Sequence, residues 1–250
     1  MGERVDARDL DGATGYREDF PYHEENLVML AWYARRLERT LLARGTRRLL
    51  SLGIGHQVVS RRLVGLLGRG VESYVVVEGS GKRIADLRGG GELPPGVAVV
   101  QGYFEEYEPG GPVDAVEMGF VLEHVHDPLA LVRRYAGFLA PGGLLAIAVP
   151  NARSLHRLVG HRAGLLDDLH RLSEHDLALG HRRYFDQDGL RRLVEEAGLR
   201  VAACEGILLK CLTTGQLSRL GLDPRVLEAF CEIGAGYPDI ANAIYLEAVP

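Results

Sequence analysis

The sequence predicts an α/β fold, a seven-stranded mostly parallel sheet with helices on both faces. Three observations carry that expectation. The stretch Arg47-Arg48-Leu49-Leu50-Ser51-Leu52 ends in the spaced glycines Gly53 and Gly55 and passes directly into Val58, Val59, Leu63, Val64, Leu66 and Leu67, apolar at helical spacing. A second apolar run, Glu72 to Glu78, ends on an acid. Strand-length apolar runs then keep alternating with helical patterns, as in parallel strands joined by crossover helices.

Composition bounds the rest. The chain has 250 residues, 46% hydrophobic and 25% charged, enough for one α/β core with a small cap. Its net charge is −5 and its arginines are dispersed, which argues against a nucleic-acid surface. No stretch is apolar enough to span a bilayer and the first residues lack the apolar core of a signal peptide, so a cytoplasmic location is expected. Cys204, Cys211 and Cys231 are odd in number and form no CxxC pair, the pattern of buried thiols and not of a disulfide or zinc site.

Residues 1–20 are polar and show no apolar period. Leu27, Leu30, Ala31, Ala34, Leu37 and Leu41 then recur at helical spacing, an amphipathic helix stopping near Gly45. Tyr16, Phe20, Tyr22 and His23 precede it, either as part of a pocket lid or as a hydrophobic staple at the helix start. The turn after the first strand suits a ligand: Gly53 lets the backbone bend and Gly55 lets a guest approach without meeting a Cβ. Gln57 stands where a third glycine could be. Glu78, at the tip of the second strand, is placed to accept the hydroxyl protons of a ribose.

A helix from about Lys82 to Arg88, the Gly89-Gly90-Gly91 linker and the Pro94-Pro95-Gly96 turn lead to a third strand, Val97 to Val100. Tyr103 and Phe104 follow, placed to stack on an adenine ring or simply to fill core. Strand four, Pro112 to Phe120, runs into Val121-Leu122-Glu123-His124-Val125. A helix follows, with Leu129, Val132, Tyr135, Ala136 and Leu139 on one face. Pro141-Gly142-Gly143 is expected to turn the chain into strand five, Leu144 to Val149. Gly189 to Gly198 reads as a helix and Arg200 to Leu212 as strand six. An insertion with helices at Gln216–Leu220 and Pro224–Ile233 precedes strand seven, Ala241 to Val249.

This order of pieces resembles the class I S-adenosylmethionine-dependent methyltransferases, particularly their small-molecule branch of ubiquinone-type and specialised-metabolite enzymes. The residues carrying the likeness are Leu52-Gly53-Ile54-Gly55, Glu78, Val121-Leu122-Glu123-His124-Val125, Asp127-Pro128, Leu139-Ala140-Pro141-Gly142-Gly143 and Pro150-Asn151. Farther on come Gly180-His181-Arg182-Arg183-Tyr184-Phe185 and Ala197-Gly198-Leu199. The likeness spans roughly residues 46 to 250. It implies a Rossmann-like fold in one domain: an arm and helix over 1–45, a cofactor-binding core over 46–150, a lid over 151–182, and a C-terminal part over 183–250. Ser51 departs from the acid common at its position, Gln57 from the third glycine, and Tyr103 from an acid that commonly meets the adenine amine.

The resemblance implies S-adenosyl-L-methionine as cofactor, with Gly53 and Gly55 admitting its methionyl part, Glu78 holding the ribose, and Tyr103, Phe104 and Met118 completing that site. Phe120 with Met118 would line the methyl-transfer channel. Tyr16, Tyr22 and Tyr184 are candidate acceptor contacts. His124, just past the fourth strand, and His181 are candidate bases, since a neutral imidazole suits removal of a hydroxyl proton at cellular pH; a capping or core role for His124 is equally open. The lid holds His156, His161, His170 and His175. His170 and His175 lack the i, i+4 spacing of zinc helices, so no metal is expected. The expected partner is a small-molecule acceptor carrying a hydroxyl, or else an amine, with no nucleic acid and no membrane; a homo-oligomer is left open. An NAD-dependent oxidoreductase would share the fold and Glu78, and a non-catalytic binding module would fit the altered Ser51 and Tyr103.

Overall fold

The computed structural model describes residues 23–89 and 93–250, so the expectations for Tyr16, Phe20 and Tyr22 lie outside the described residues. In chain order the elements are α1 (His23–Ala43), β1 (Arg48–Leu52), α2 (Val58–Val64), β2 (Ser73–Glu78), α3 (Gly81–Arg88), β3 (Val97–Gln101), β4 (Val113–Gly119), α4 (Pro128–Ala136) and β5 (Leu139–Pro150). The segment expected as a lid follows as α5 (Leu155–Arg162) and α6 (Glu174–Ala178). The chain then forms α7 (Gln187–Glu196), β6 (Arg200–Ile207), α8 (Thr214–Ser218), α9 (Pro224–Gly234) and β7 (Ala243–Val249).

The seven strands form one sheet in the order β3-β2-β1-β4-β5-β7-β6. Pairs β1–β2, β1–β4, β2–β3 and β4–β5 are parallel, while β7 runs antiparallel to both β5 and β6. The chain steps outward from β1 to β3, then returns to place β4 on the other side of β1. Such a reversal leaves a crevice beyond the C-terminal ends of β1 and β4, where ligands of open α/β sheets bind.

Alternate strand residues face opposite sides, so the sheet has two cores. One packs Leu49, Tyr74, Val76, Ala115 and Tyr245 against Trp32, Tyr33, Leu37 and Leu41 of α1. The other packs Leu50, Leu52, Val116, Met118 and Ile147 against Leu190 and Val194 of α7. Polar groups also tie α1 to the far edge: Arg36 donates to Glu205 on β6 and the Thr40 hydroxyl to Glu247 on β7. The helix is thereby fixed along the sheet, with its first turn reaching the crevice.

Two expectations about strand ends are corrected. Strand β5 begins at Leu139, because Val113 pairs with Leu139 and Ala115 with Leu144; Pro141-Gly142-Gly143 is a bulge inside the strand, made feasible by Gly142 at φ 73°. Strand β6 ends at Ile207, not at Leu212. Leu208 adopts a left-handed φ of 60°, which turns the apolar run away from the sheet, and the Leu209 N–H donates to the Phe230 carbonyl of α9.

Candidate functional site

The crevice is a cavity of about 920 Å³ bounded by the β1–α2 turn, the tips of β2 and β4, the first turns of α1, and the lid. Its base is the turn the sequence singled out. Gly53 and Gly55 have φ of 86° and 55°, and Gln57 follows at 65°. All three are left-handed, so the missing third glycine is replaced by a residue forced into a glycine-like conformation. A Cβ on Gly53 would stand 3.8 Å from the Phe104 ring.

Glu78 closes this end. Its two oxygens accept from the Ile54 N–H at 2.9 Å and the Ser80 N–H at 2.8 Å, and the residue is 6% exposed. The carboxylate is therefore aimed before any ligand arrives. Phe104 lines the cavity, and its carbonyl is held by the Tyr135 hydroxyl at 2.8 Å. Tyr103 is half-buried and is not among the residues lining the cavity.

Beyond β1 lies the tip of β4. Glu117, 4% exposed, lines the cavity and receives the Tyr33 hydroxyl at 2.9 Å and the Gly119 N–H at 2.7 Å on one oxygen. Burial pushes its carboxyl up to about 7 against the pull of its hydrogen bonds to Ser51, Tyr33 and Gly119. Gly119 is sterically required, since a Cβ there would come within 2.5 Å of both Glu117 and the Tyr33 ring. Phe120 lines the cavity at a strained φ of 58°, with its ring edge-on to Tyr33. Met118 corrects the expectation: it is fully buried in the core on the opposite sheet face, because strand alternation sends it away from Glu117.

At the lid end, His124 and His181 meet edge to face with ring centroids 4.9 Å apart. His124 Nδ1 lies 3.3 Å from the Gly180 carbonyl, and burial, with His181 nearby, pushes this imidazole down to about 3, so it is neutral. Beside the two rings lies Glu123, wholly buried, neither of whose oxygens finds a partner among the described residues. Burial raises its carboxyl to about 7, while His181 and Arg183 pull it down. His181 Nδ1 stands 3.5 Å from Asp176 Oδ1, which also accepts from the Tyr184 hydroxyl at 3.0 Å. Although burial opposes it, the interactions of Asp176 with His181 and Ser173 hold its carboxyl at about 2. Tyr184 lines the cavity and lies under the Arg157 guanidinium, 4.2 Å from the ring centroid.

A second polar group escaped the sequence reading. Lys210, 4% exposed, donates to Glu25 of α1 and to the Thr214 hydroxyl, and all three line the cavity beside His156 and Asn242. A lysine after an apolar run looks like a strand end, and nothing local points to a partner in α1. Asn151 has a structural task, its amide donating to the Pro238, Asp239 and Ala241 carbonyls. Tyr237-Pro238-Asp239 is accordingly a turn, and Tyr237 is 49% exposed.

Residues 23–203, most of the chain, match the model of a family described as "Methyltransferase domain". No curated protein matches the sequence. The fold is similar to that of the CcbJ methyltransferase from Streptomyces caelestis, with 18% identity, a TM-score of 0.60 and 98% of this chain covered against 99% of that one. It is also similar to magnesium protoporphyrin IX methyltransferase from Synechocystis PCC 6803, solved with bound S-adenosylhomocysteine, at 16% identity and TM-score 0.57, covering 89% and 84%. A putative methyltransferase of Haloferax volcanii, solved with its Trm112 activator, aligns at 17% identity and TM-score 0.61 over 99% of both chains. The chain belongs to the methyltransferase-domain family and is an S-adenosylmethionine-dependent methyltransferase.

Proposed function

We propose that the chain methylates a hydroxyl of a small metabolite, in the setting of specialised-metabolite biosynthesis. The observation that carries this reading is the continuity of one cavity. The Gly53–Gly55 turn, Glu78 and Phe104 form one wall, and the imidazoles of His124 and His181 form another. At about 920 Å³ the space lies near the top of the ordinary range of ligand pockets, about 300–1,000 Å³, which suits a donor and a small acceptor together.

On this reading the two glycines admit the methionyl part of the donor, Glu78 accepts from the ribose hydroxyls, and Phe104 flanks the adenine. The acceptor oxygen attacks the sulfonium methyl in line. The new C–O bond forms as the C–S bond breaks, and the sulfonium leaves as a neutral thioether. What the chain supplies is alignment and exclusion of water. The hydroxyl proton must also leave, and the Glu123–His124–His181 cluster lies where it can be received. Phe120 and Tyr184 would face the acceptor, and Glu25, His156 and Lys210 would meet its polar end.

The test is turnover with isotopically methyl-labelled donor over a panel of small phenols, sugars and amines. Label recovered in an ether, with kcat lowered about 10²–10⁴-fold by His181→Ala and donor affinity retained, supports the reading. Label recovered only in amines, or kcat unchanged by that substitution, overturns it.

A further inference from the structure

Glu123 is 0% exposed, and both its carboxylate oxygens are sealed from solvent without a partner among the described residues. A carboxyl buried in that position is stabilised by a proton or by a counter-charge. Two imidazoles lie near it. One ligand-capable atom from each of Glu123, His124 and His181 lies within 4.8 Å of the other two. The Nδ1 of His124 lies 3.3 Å from the Gly180 carbonyl and that of His181 lies 3.5 Å from Asp176 Oδ1, neighbours that would orient the two rings. Metal-bound histidines are ordinarily oriented by such outer partners.

From this geometry we infer that Glu123, His124 and His181 bind one divalent transition-metal ion, joining the loop after β4 to the end of the lid. The same two segments are already in contact through the Arg182 N–H, which donates to the Glu123 carbonyl at 2.8 Å. Two imidazoles and a carboxylate suit zinc or ferrous iron and not magnesium or calcium, which prefer all-oxygen shells. Three atoms spread over the full 4.8 Å would each stand about 2.8 Å from their common centre, against bonds of about 2.0–2.2 Å, so the side chains need draw in by less than about 1 Å.

The histidine pair singled out in the lid, His170 and His175, is not part of this cluster, and the inference departs from the expectation that no metal binds. The site forms without a methyl donor, and its test is independent of the methyl-transfer reading. Where that reading holds, an ion held by Glu123, His124 and His181 would supply Lewis-acid activation of the acceptor hydroxyl.

The experiment is calorimetric titration of the full chain, stripped with chelator, with Zn²⁺ and separately with Mg²⁺. Visible spectra of the Co²⁺-loaded protein accompany it, and Glu123→Gln and His181→Gln are run beside the wild type. One Zn²⁺ per chain at micromolar or tighter affinity, no uptake of Mg²⁺, and a loss of at least about tenfold in either variant are expected. Absence of stoichiometric Zn²⁺ binding overturns the inference and leaves Glu123 a buried carboxyl without a metal. Equal affinity in wild type and variants overturns it too, placing the ion on exposed histidines such as His170. Should Glu123→Gln fail to fold, His181→Gln and the Co²⁺ spectrum decide the matter alone. Neither negative result touches donor binding.

Discussion

Ser51 on β1 and Glu117 on β4 are register partners across the two central strands. The position where related methyltransferases often carry an acid is a serine here, and a carboxyl stands beside it on the neighbouring strand. The serine hydroxyl, which accepts from Tyr74 at 3.1 Å, and the Glu117 carboxyl form one buried polar group under the cavity. The acid belongs to a different strand but serves the same end of the sheet.

This pairing predicts a pH dependence of stability. Glu117 titrates near 7 in the fold against 4.5 in its ordinary state, so its ionisation penalises the folded chain. The contribution is fully present below about pH 4.5 and is lost as pH rises toward 7, on the order of 3 kcal/mol in all. Urea unfolding at pH 5 and pH 8 should show Glu117→Gln nearly free of that loss. Parallel pH profiles for wild type and variant would refute the assignment.

Gln57 carries the cost of a left-handed φ at the start of α2, where its side chain makes no capping bond and instead accepts from Arg61. Glycine there should relieve strain of about 1 kcal/mol, partly offset by a more flexible unfolded chain. Chemical denaturation should rank Gln57→Gly at or above wild type and Gln57→Ala below both. An alanine variant as stable as the glycine one would mean the turn is not strained.

Arg157 holds the lid. It is 9% exposed, donates to the Leu169 and Arg171 carbonyls, and stacks on Tyr184. Arg157→Ala should cost about 2–3 kcal/mol locally, through the lost charged hydrogen bonds and the cation–π contact. Hydrogen exchange should then accelerate in the segment around residues 165–173 with β4 and β5 unchanged. Uniform acceleration across the sheet would show that the residue supports the whole fold instead.

The sheet and its ligand turn were legible because strand period, the spaced glycines and a strand-end acid are local signals. Glu78 needs only β2 to end beside β1. Met118 was misjudged because sequence shows that β4 alternates, but not which parity faces the ligand. Tyr33 on α1 settles that by binding Glu117. The partnership of Glu123 with His181 and that of Lys210 with Glu25 join residues far apart in sequence, and both form only when the lid and α1 fold over the crevice. The end of β6 was hidden because the run past Ile207 stays apolar while Leu208 turns left-handed.

The claim on which the rest stands is that Glu78 and the Gly53–Gly55 turn grip one nucleoside. Calorimetric titration with S-adenosylhomocysteine and with NAD, on wild type and Glu78→Ala, tests it most directly. Saturable binding of S-adenosylhomocysteine alone, weakened about 10- to 100-fold in the variant through loss of charge-assisted hydrogen bonds, is the predicted result. Preference for NAD, or equal affinity of the two proteins for S-adenosylhomocysteine, would contradict the account.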